Sequence, residues 1–310
     1  MILRASTPAE VCEALAEARA SNSRIQSIDL RAMSNILEYR PEDMTVTVQT
    51  GISMAVLQAH LANRGQWLPI DPPNPERLTI DELLNRNLSG PRRFGYGTIR
   101  EHLIGVTAVL ADGRVIHNGG KVVKNVAGFD LCKLFVGSQW TVGIVIEATF
   151  KVRPLPAREV FWTRNFAAAS EAADCVQSVL ESQIAPVVID LHSDQFPACT
   201  LVLGLAGTSQ EVAWQSEEAE KLGIATERTL GYERDFWTDS SLPFCVSVLP
   251  SRLAAELELC RPKTFVARAG NGIIFYRGGS AREKPGVPVT LNQRVKEIFD
   301  PARILPEFAL

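Results

Sequence analysis

Ten of the 21 glycines lie between Asn87 and Phe150, and none precedes Gly51. No other feature of the chain constrains its fold as much. Glycine belongs where a backbone turns tightly or comes close to another group, because it takes positive φ without steric cost. Within Asn87–Phe150 the glycines separate short β-rich runs, so the segment reads as strands whose turns enclose something flat and charged. The glycine-free front has no loop of consecutive small residues that would lay several amides against an anion. A ligand site is thus expected in the middle of the chain, with one wall missing ahead of it.

At 310 residues the chain is long enough for two domains, or for one large domain with an appended lobe. Apolar residues make up 46% and charged residues 22%, the balance of an ordinary globular protein. A net charge of −3 leaves no concentrated basic face for nucleic acid. The uncharged apolar stretch from Leu134 to Ile146 is too short to cross a bilayer and reads as a buried strand with its approach loop. Arg4 and the absence of an apolar run behind it argue against a signal peptide. The six cysteines form no C-x-x-C pair and mostly sit in apolar segments, so they are expected to be reduced core residues of a cytoplasmic protein. His60, His102, His117 and His192 are isolated and lack the spacing of zinc or iron ligands.

Local patterning sets the elements. Thr7-Pro8-Ala9-Glu10 starts a helix with a capping box and Pro at the first position, and Val11, Leu15 and Ala18 give it one apolar face. Ile25–Leu30 reads as a short strand, and Thr45–Gln49 alternates strictly. Gly51 ends that strand, and Ser53 caps a helix carrying Val56, Leu57 and Leu61. Asp112-Gly113 joins Thr107–Leu110 to Arg114–His117 as a hairpin, and Ile144–Lys151 is a further strand. Pro154 and Pro156 mark a boundary between residues 1–153 and 154–310. Beyond it come a strand (Glu159–Arg164), a helix (Ala167–Ser182), two strands (Pro186–Leu191, Thr200–Leu205), a helix (Gln210–Leu222) and a strand (Ala225–Arg228). That β-α-β-β-α-β order is the ferredoxin-like one. Phe244–Leu249, Thr264–Ala269 and Gly272–Tyr276 add strands. An amphipathic helix over 290–300 is expected to return to the first domain.

Seven motifs then occur in a recognisable order: Thr45–Gly51, Gln66–Pro73, Asn87–Arg93, Tyr96–Arg100, Lys121–Asp130, Gly137–Glu147 and Lys296–Pro301. Together they resemble the FAD-binding accessory subunits of bacterial glycolate oxidase, members of the vanillyl-alcohol oxidase/p-cresol methylhydroxylase (PCMH) flavoprotein superfamily. The likeness is dense from Glu38 to Pro156 and loose elsewhere. It implies an α+β fold, with a two-subdomain PCMH-type FAD-binding domain, truncated at its front, followed by a ferredoxin-like α/β lobe. It also implies FAD as cofactor and a role as a FAD-linked oxidoreductase subunit in glycolate-type 2-hydroxy-acid oxidation. There the flavin accepts a hydride from the substrate's α-carbon. The implied partners are a catalytic flavoprotein and an iron–sulfur subunit, in the cytoplasm or held at a membrane surface through those partners.

Such a site needs apolar walls for a ring and clustered N–H donors for a diphosphate. Ser89 and Gly90 supply a hydroxyl and an unobstructed amide. Tyr96, Gly97 and Thr98 give an aromatic face and a close approach. Asn125 and Gly128 wrap the adenosine side, and Asp130 either accepts from the ribose or caps local backbone. Gly143 to Ile146 offer a strand edge to the adenine, and the resemblance adds Thr79 and Ile80. Gly113 and Gly119 read as plain turn glycines, while Arg92 and Arg93 read equally as a solvated pair or a diphosphate clamp.

Three departures from the family pattern stand out. The glycine-rich diphosphate loop is missing between Ala18 and Leu30, Asp81-Glu82 follows Thr79-Ile80 where the family has Gly-Gly, and Trp140 replaces a glycine in Gly137-Ser138-Gln139-Trp140-Thr141. Hydrogen bonds to a charged group contribute about 1.5–3 kcal/mol each, so losing two or three weakens binding by roughly two to six decades. Two further readings therefore stay open: a flavin-free structural subunit that docks a catalytic flavoprotein and an iron–sulfur partner, or a small-molecule or nucleotide-binding module unrelated to flavin. No residue announces itself as a catalytic base. Tyr232, Arg234 and Trp237 form a polar-aromatic cluster that reads as exposed-loop packing.

Overall fold

The computed structural model describes residues 1–120, 131–282 and 289–307. The chain divides into two compact units, the first made of residues 1–88, 98–155 and 286–310, the second of residues 89–97 and 156–285.

The first unit opens with a small α/β layer. Strand β1 (Ile2–Arg4) pairs in parallel with β2 (Ser27–Asp29), and helix α1 (Pro8–Ala20) connects them. Thr7 caps α1 by accepting from the Glu10 amide, but the expected reciprocal half is absent. The Glu10 carboxylate turns instead to the amide and hydroxyl of Ser6. A five-stranded antiparallel sheet follows. It is built from β3 (Ile36–Arg40) and β4 (Thr45–Gln49) and, later in the chain, from β6 to β8; helix α2 (Met54–Ala62), the short β5 (Gln66–Trp67) and helix α3 (Ile80–Arg86) intervene. The segment Ser89–Gly97, with helix α4 (Arg93–Tyr96), belongs to the second unit. The chain then returns through α5 (Ile99–His102), β6 (Leu103–Val109), β7 (Val115–Gly119), α6 (Cys132–Phe135), β8 (Ile144–Lys151) and β9 (Arg153–Pro154), the last pairing with β5.

The sheet order is β3-β4-β8-β6-β7, so β8 lies between two neighbours. Its side chains face two cores, and a bulge at Ile146, opposite the step from Thr107 to Ala108, shifts the two-residue period so that the even-numbered residues change face after it. Val145, Ala148 and Phe150 join α2 and α3 on one face, while Ile144 and Ile146 join Leu3, Val11, Leu15 and Ile25 on the other.

The second unit is a seven-stranded antiparallel sheet. It contains β10 (Arg158–Phe166), α7 (Ala169–Glu181), β11 (Val188–Ser193), β12 (Cys199–Gly207), α8 (Ser209–Lys221), β13 (Thr226–Arg228), α9 (Gly231–Thr238), β14 (Phe244–Ser247), α10 (Leu253–Cys260), β15 (Thr264–Arg268) and β16 (Ile273–Arg277). The order β13-β10-β12-β11-β15-β16-β14 contains the ferredoxin-like arrangement in its first four strands, and the last three extend it. The inner faces of these strands share one apolar core with α7, α8 and α10. Phe94 of α4 packs against that core, and the absence of a side chain on Gly270 admits it; a Cβ there would sit 2.3 Å from the ring. Helix α11 (Val289–Phe299) closes the chain within the first unit. Lys296 on it reaches the fully buried Asp300 at 2.9 Å, and Asp300 accepts from the amides of Ile304 and Leu305. The final motif, Lys296–Pro301, is thus the clamp that holds the tail.

Among the described residues no helix is long and apolar enough to cross a membrane. All six cysteines are free, and four are buried; Cys245 is exposed, in contrast to the expected core placement.

Candidate functional site

In the first unit a cavity of about 540 Å³ lies between β2 and helix α3, with the 139–140 segment and the tail at Pro306 beside it. Gln26–Ile28 form one wall, Glu82 and Arg86 of α3 another, and Gln139, Trp140 and Glu307 the remainder. A second cavity, about 560 Å³ and mostly apolar, runs between Leu134–Val142 and helix α11, with Leu291 and Val295 facing it. Segment 137–141 separates the two, with Ser138 and Thr141 on the apolar side and Gln139 and Trp140 on the charged side.

Helix α3 anchors that segment. Thr79 caps α3 and Glu82 completes a capping box, each side chain bonding the other's amide at 3.2 Å. Thr79-x-x-Glu82 carries that signature in sequence, so Glu82 has a local task beyond any effect on a ligand. One residue earlier, Asp81 is buried, and its carboxylate receives the Trp140 indole N–H at 2.9 and 3.0 Å and the Asn85 amide at 2.9 Å. Burial pushes the Asp81 carboxyl up to about 7; the two donors pull it down and the neighbouring Glu82 charge raises it. Asn85, fully buried, accepts from the Trp140 amide at 2.8 Å and from the Ser138 hydroxyl at 3.0 Å. Gln139 and Trp140 are both left-handed, at φ +51° and +62°. That conformation costs about 1–2 kcal/mol per non-glycine residue, so the bonds to α3 are what hold it.

The other residues singled out from sequence are dispersed. Ile80 is buried and its amide donates to Ile52. Thr98 caps α5, with its amide and hydroxyl both on Glu101. Ser89, Gly90, Tyr96 and Gly97 fall in the second unit. There Ser89 accepts from Arg93 at 3.2 Å, Gly90 offers its carbonyl to the Arg93 amide, and the Gly97 amide donates back to Arg93. Arg92 is neither solvated nor open as a clamp, because Glu159 grips its guanidinium at two points, 2.7 and 2.5 Å. Gly143, at φ +154°, lets β8 pass Val109, whose carbonyl would lie 3.0 Å from a Cβ. Ile146 is a core side chain. The expected open edge at Gly143–Ile146 is corrected, since β6 pairs with one side and Thr50 bonds the carbonyls of Val145 and Ile146 on the other. Asn125, Gly128 and Asp130 lie outside the described residues.

The second unit holds a polar cluster that sequence reasoning placed on a loop. Arg268 is 2% exposed and bonds Asp190 at 2.5 Å and both oxygens of Glu233. Tyr232 donates to Asp190 at 2.7 Å and stacks on His192 with centroids 4.4 Å apart. Trp237 donates to Glu233 at 2.9 Å. Tyr232 and Trp237 are therefore half-buried members of a charged network, and of the three only Arg234 points to solvent. Arg268 lies on the face of Thr264–Arg268 opposite the core-facing Phe265 and Ala267, so strand alternation carried no signal that it would be buried.

Residues 25–119 match the family described as FAD binding domain. Over 158 residues the chain is 37% identical to glycolate oxidase subunit GlcD of Bacillus subtilis (strain 168), covering 51% of this chain and 34% of that one. Glycolate oxidase subunit GlcE of Escherichia coli (strain K12) is 32% identical over 165 residues, covering 53% and 46%. A probable mitochondrial D-lactate dehydrogenase of Danio rerio is 30% identical over 209 residues, covering 62% and 42%. The chain spans less than half the length of these relatives. In three dimensions it follows alkyldihydroxyacetonephosphate synthase with a TM-score of 0.71 at 19% identity, over 98% of this chain and 75% of that one, which shows the fold.

Residues 25–119 are therefore similar to a FAD binding domain, and the relatives matched bear the names of glycolate oxidase subunits and D-lactate dehydrogenases. FAD brings a dianionic diphosphate, which requires unengaged amides or cations. The amides of Ile80, Asp81, Glu82, Gly137, Ser138, Gln139, Trp140 and Thr141 all donate inside the protein. Glu82 and Glu307 face the charged cavity with a single arginine, Arg86. In this conformation the cavity does not fit a diphosphate, whereas the apolar cavity has the lining a planar ring needs.

Proposed function

We propose that this chain, built on a FAD binding domain, serves as the FAD-domain subunit of an assembly that oxidises 2-hydroxy acids of the glycolate and D-lactate type. The observation that carries this reading is its likeness to two different subunits, GlcD and GlcE, that bear the name of the same oxidase. A catalytic flavoprotein and an iron–sulfur subunit are the proposed partners, with the assembly in the cytoplasm or peripheral to a membrane. Among the described residues the charged cavity is lined by no histidine to take the hydroxyl proton of a 2-hydroxy acid as its α-hydride leaves, which favours a partner as the seat of chemistry. Thr79, Ile80 and the 137–146 segment are the proposed cofactor-side residues of this chain.

The test is an absorbance spectrum of the purified chain with and without added FAD, followed by glycolate or D-lactate. Flavin uptake with little reduction by the chain alone, and reduction once the partner subunits are added, is the expected result. Absence of flavin uptake at any FAD concentration rejects the reading. A second reading, a flavin-free subunit that only docks the catalytic one, is favoured by the engaged amides. It requires the co-purified assembly to contain FAD only in its catalytic subunit.

A further inference from the structure

Two successive non-glycine residues in the left-handed region, one of them a tryptophan, are unusual for any turn. Neither residue is needed to build the neighbouring cores, since neither belongs to them. What they do is consume donors. The Gln139 amide is drawn to the Asn85 carbonyl at 3.1 Å and the Trp140 amide to the Asn85 side chain at 2.8 Å. The indole then lies against the charged cavity with its N–H fixed on Asp81. Asp81 and Asn85 are themselves joined, through side chain and backbone, within one turn of α3. One rigid helix therefore holds the indole and both amides at the same time.

Resting on the FAD reading above, we propose that Trp140, clasped by Asp81 and Asn85, is a latch that keeps this chain's FAD site in a low-affinity form. Closed, it withholds the Gln139 and Trp140 amides from an anion and sets the Asp81 carboxylate behind the cavity wall. Open, it frees two donors and removes the ring from that wall. A ligand that binds only the open form has its affinity lowered by the fraction of molecules that are open. Occupancy then depends on whatever shifts this balance, and docking of a partner subunit against the cavity is one such influence.

The test is titration of FAD into the full chain, followed by flavin fluorescence, for the wild type, Trp140→Gly and Trp140→Phe. Glycine at 140 removes the ring and suits a positive φ, while phenylalanine keeps a ring but lacks the N–H that reaches Asp81. Trp140→Gly is expected to bind FAD about 10-fold or more tightly than the wild type, and Trp140→Phe by a smaller factor of about 3. Circular dichroism reports whether each variant is folded, and if the glycine variant is not, the phenylalanine variant decides. A wild type that binds FAD as tightly as its folded variants overturns the latch and leaves the cofactor assignment standing. If no folded form binds FAD, both fall.

Discussion

Asp81 shows how one side chain can serve a local and a long-range purpose at once. It sits in the first turn of α3, where a carboxylate suits the helix dipole, yet it is 3% exposed and its carboxyl is raised to about 7 by burial. In an unfolded chain the same group ionises near 3.8. From about pH 4 to pH 7 the folded form thus holds a proton that the unfolded form has released, so stability from this residue falls as pH rises through that window. Above it the cost is constant. Asp81→Asn removes the titration, so the melting temperature of the variant relative to wild type is expected to climb from about pH 5 to pH 8. A difference that stays level or declines over that range would contradict the assignment; Asp190, also raised to about 7 by burial, is common to both proteins and cancels. Thr79-Ile80-Asp81-Glu82 reads in sequence as a loss of two glycines, and it also spells the capping box that the structure contains. Trp140 was legible as an anomaly but its partner was not, because Asp81 is 59 residues away and no local pattern joins them.

At the level of elements, regular periodicity carried the assignment wherever the run was long enough to show it. β4, β8, α2 and the β-α-β-β-α-β series follow from alternation, turn residues and the Ser53 cap, whereas the Thr208–Glu211 capping box of α8 went unread. β1, β5 and β9 hold two or three residues each, too few for any period to show. Helix α9 was illegible for another reason. Its start, Leu230-Gly231, has no side-chain cap, and its attachment is the buried Arg268, which comes from a strand later in the chain. Burial raises the Asp190 carboxyl against the pull of Arg268, with the Glu233 charge adding to the rise, so this network is stable only while the guanidinium is present. Arg268→Met keeps the volume and leaves Asp190 and Glu233 buried without their cation, an expected loss of about 3–5 kcal/mol in chemical denaturation. Hydrogen exchange should rise first in α9. A loss below about 1 kcal/mol, the range of exposed pairs, would show that the network contributes little to holding the helix.

Across the whole molecule, the apolar cores of the described residues divide as the units do, two made of first-unit residues and one of second-unit residues. The chain passes from the first unit to the second between residues 155 and 156, and its last helix belongs to the first unit. The excursion of Ser89–Gly97 was hidden. It depends on Phe94 meeting Gly270 and on the Gly95 amide reaching the Val187 carbonyl, pairings that no window of sequence contains. Segregated cores also imply segregated consequences. Leu57 lies in the α2 side of the first unit and Leu203 in the β12 side of the second, both fully buried. Truncating either to alanine should cost about 2–5 kcal/mol through lost burial and the cavity left behind. If the units open separately, Leu57→Ala raises native-state hydrogen exchange in residues 36–62 and 103–151 while leaving 158–277 near wild-type rates, and Leu203→Ala does the reverse. Equal acceleration in both sets by either variant would mean that the chain unfolds as one cooperative body.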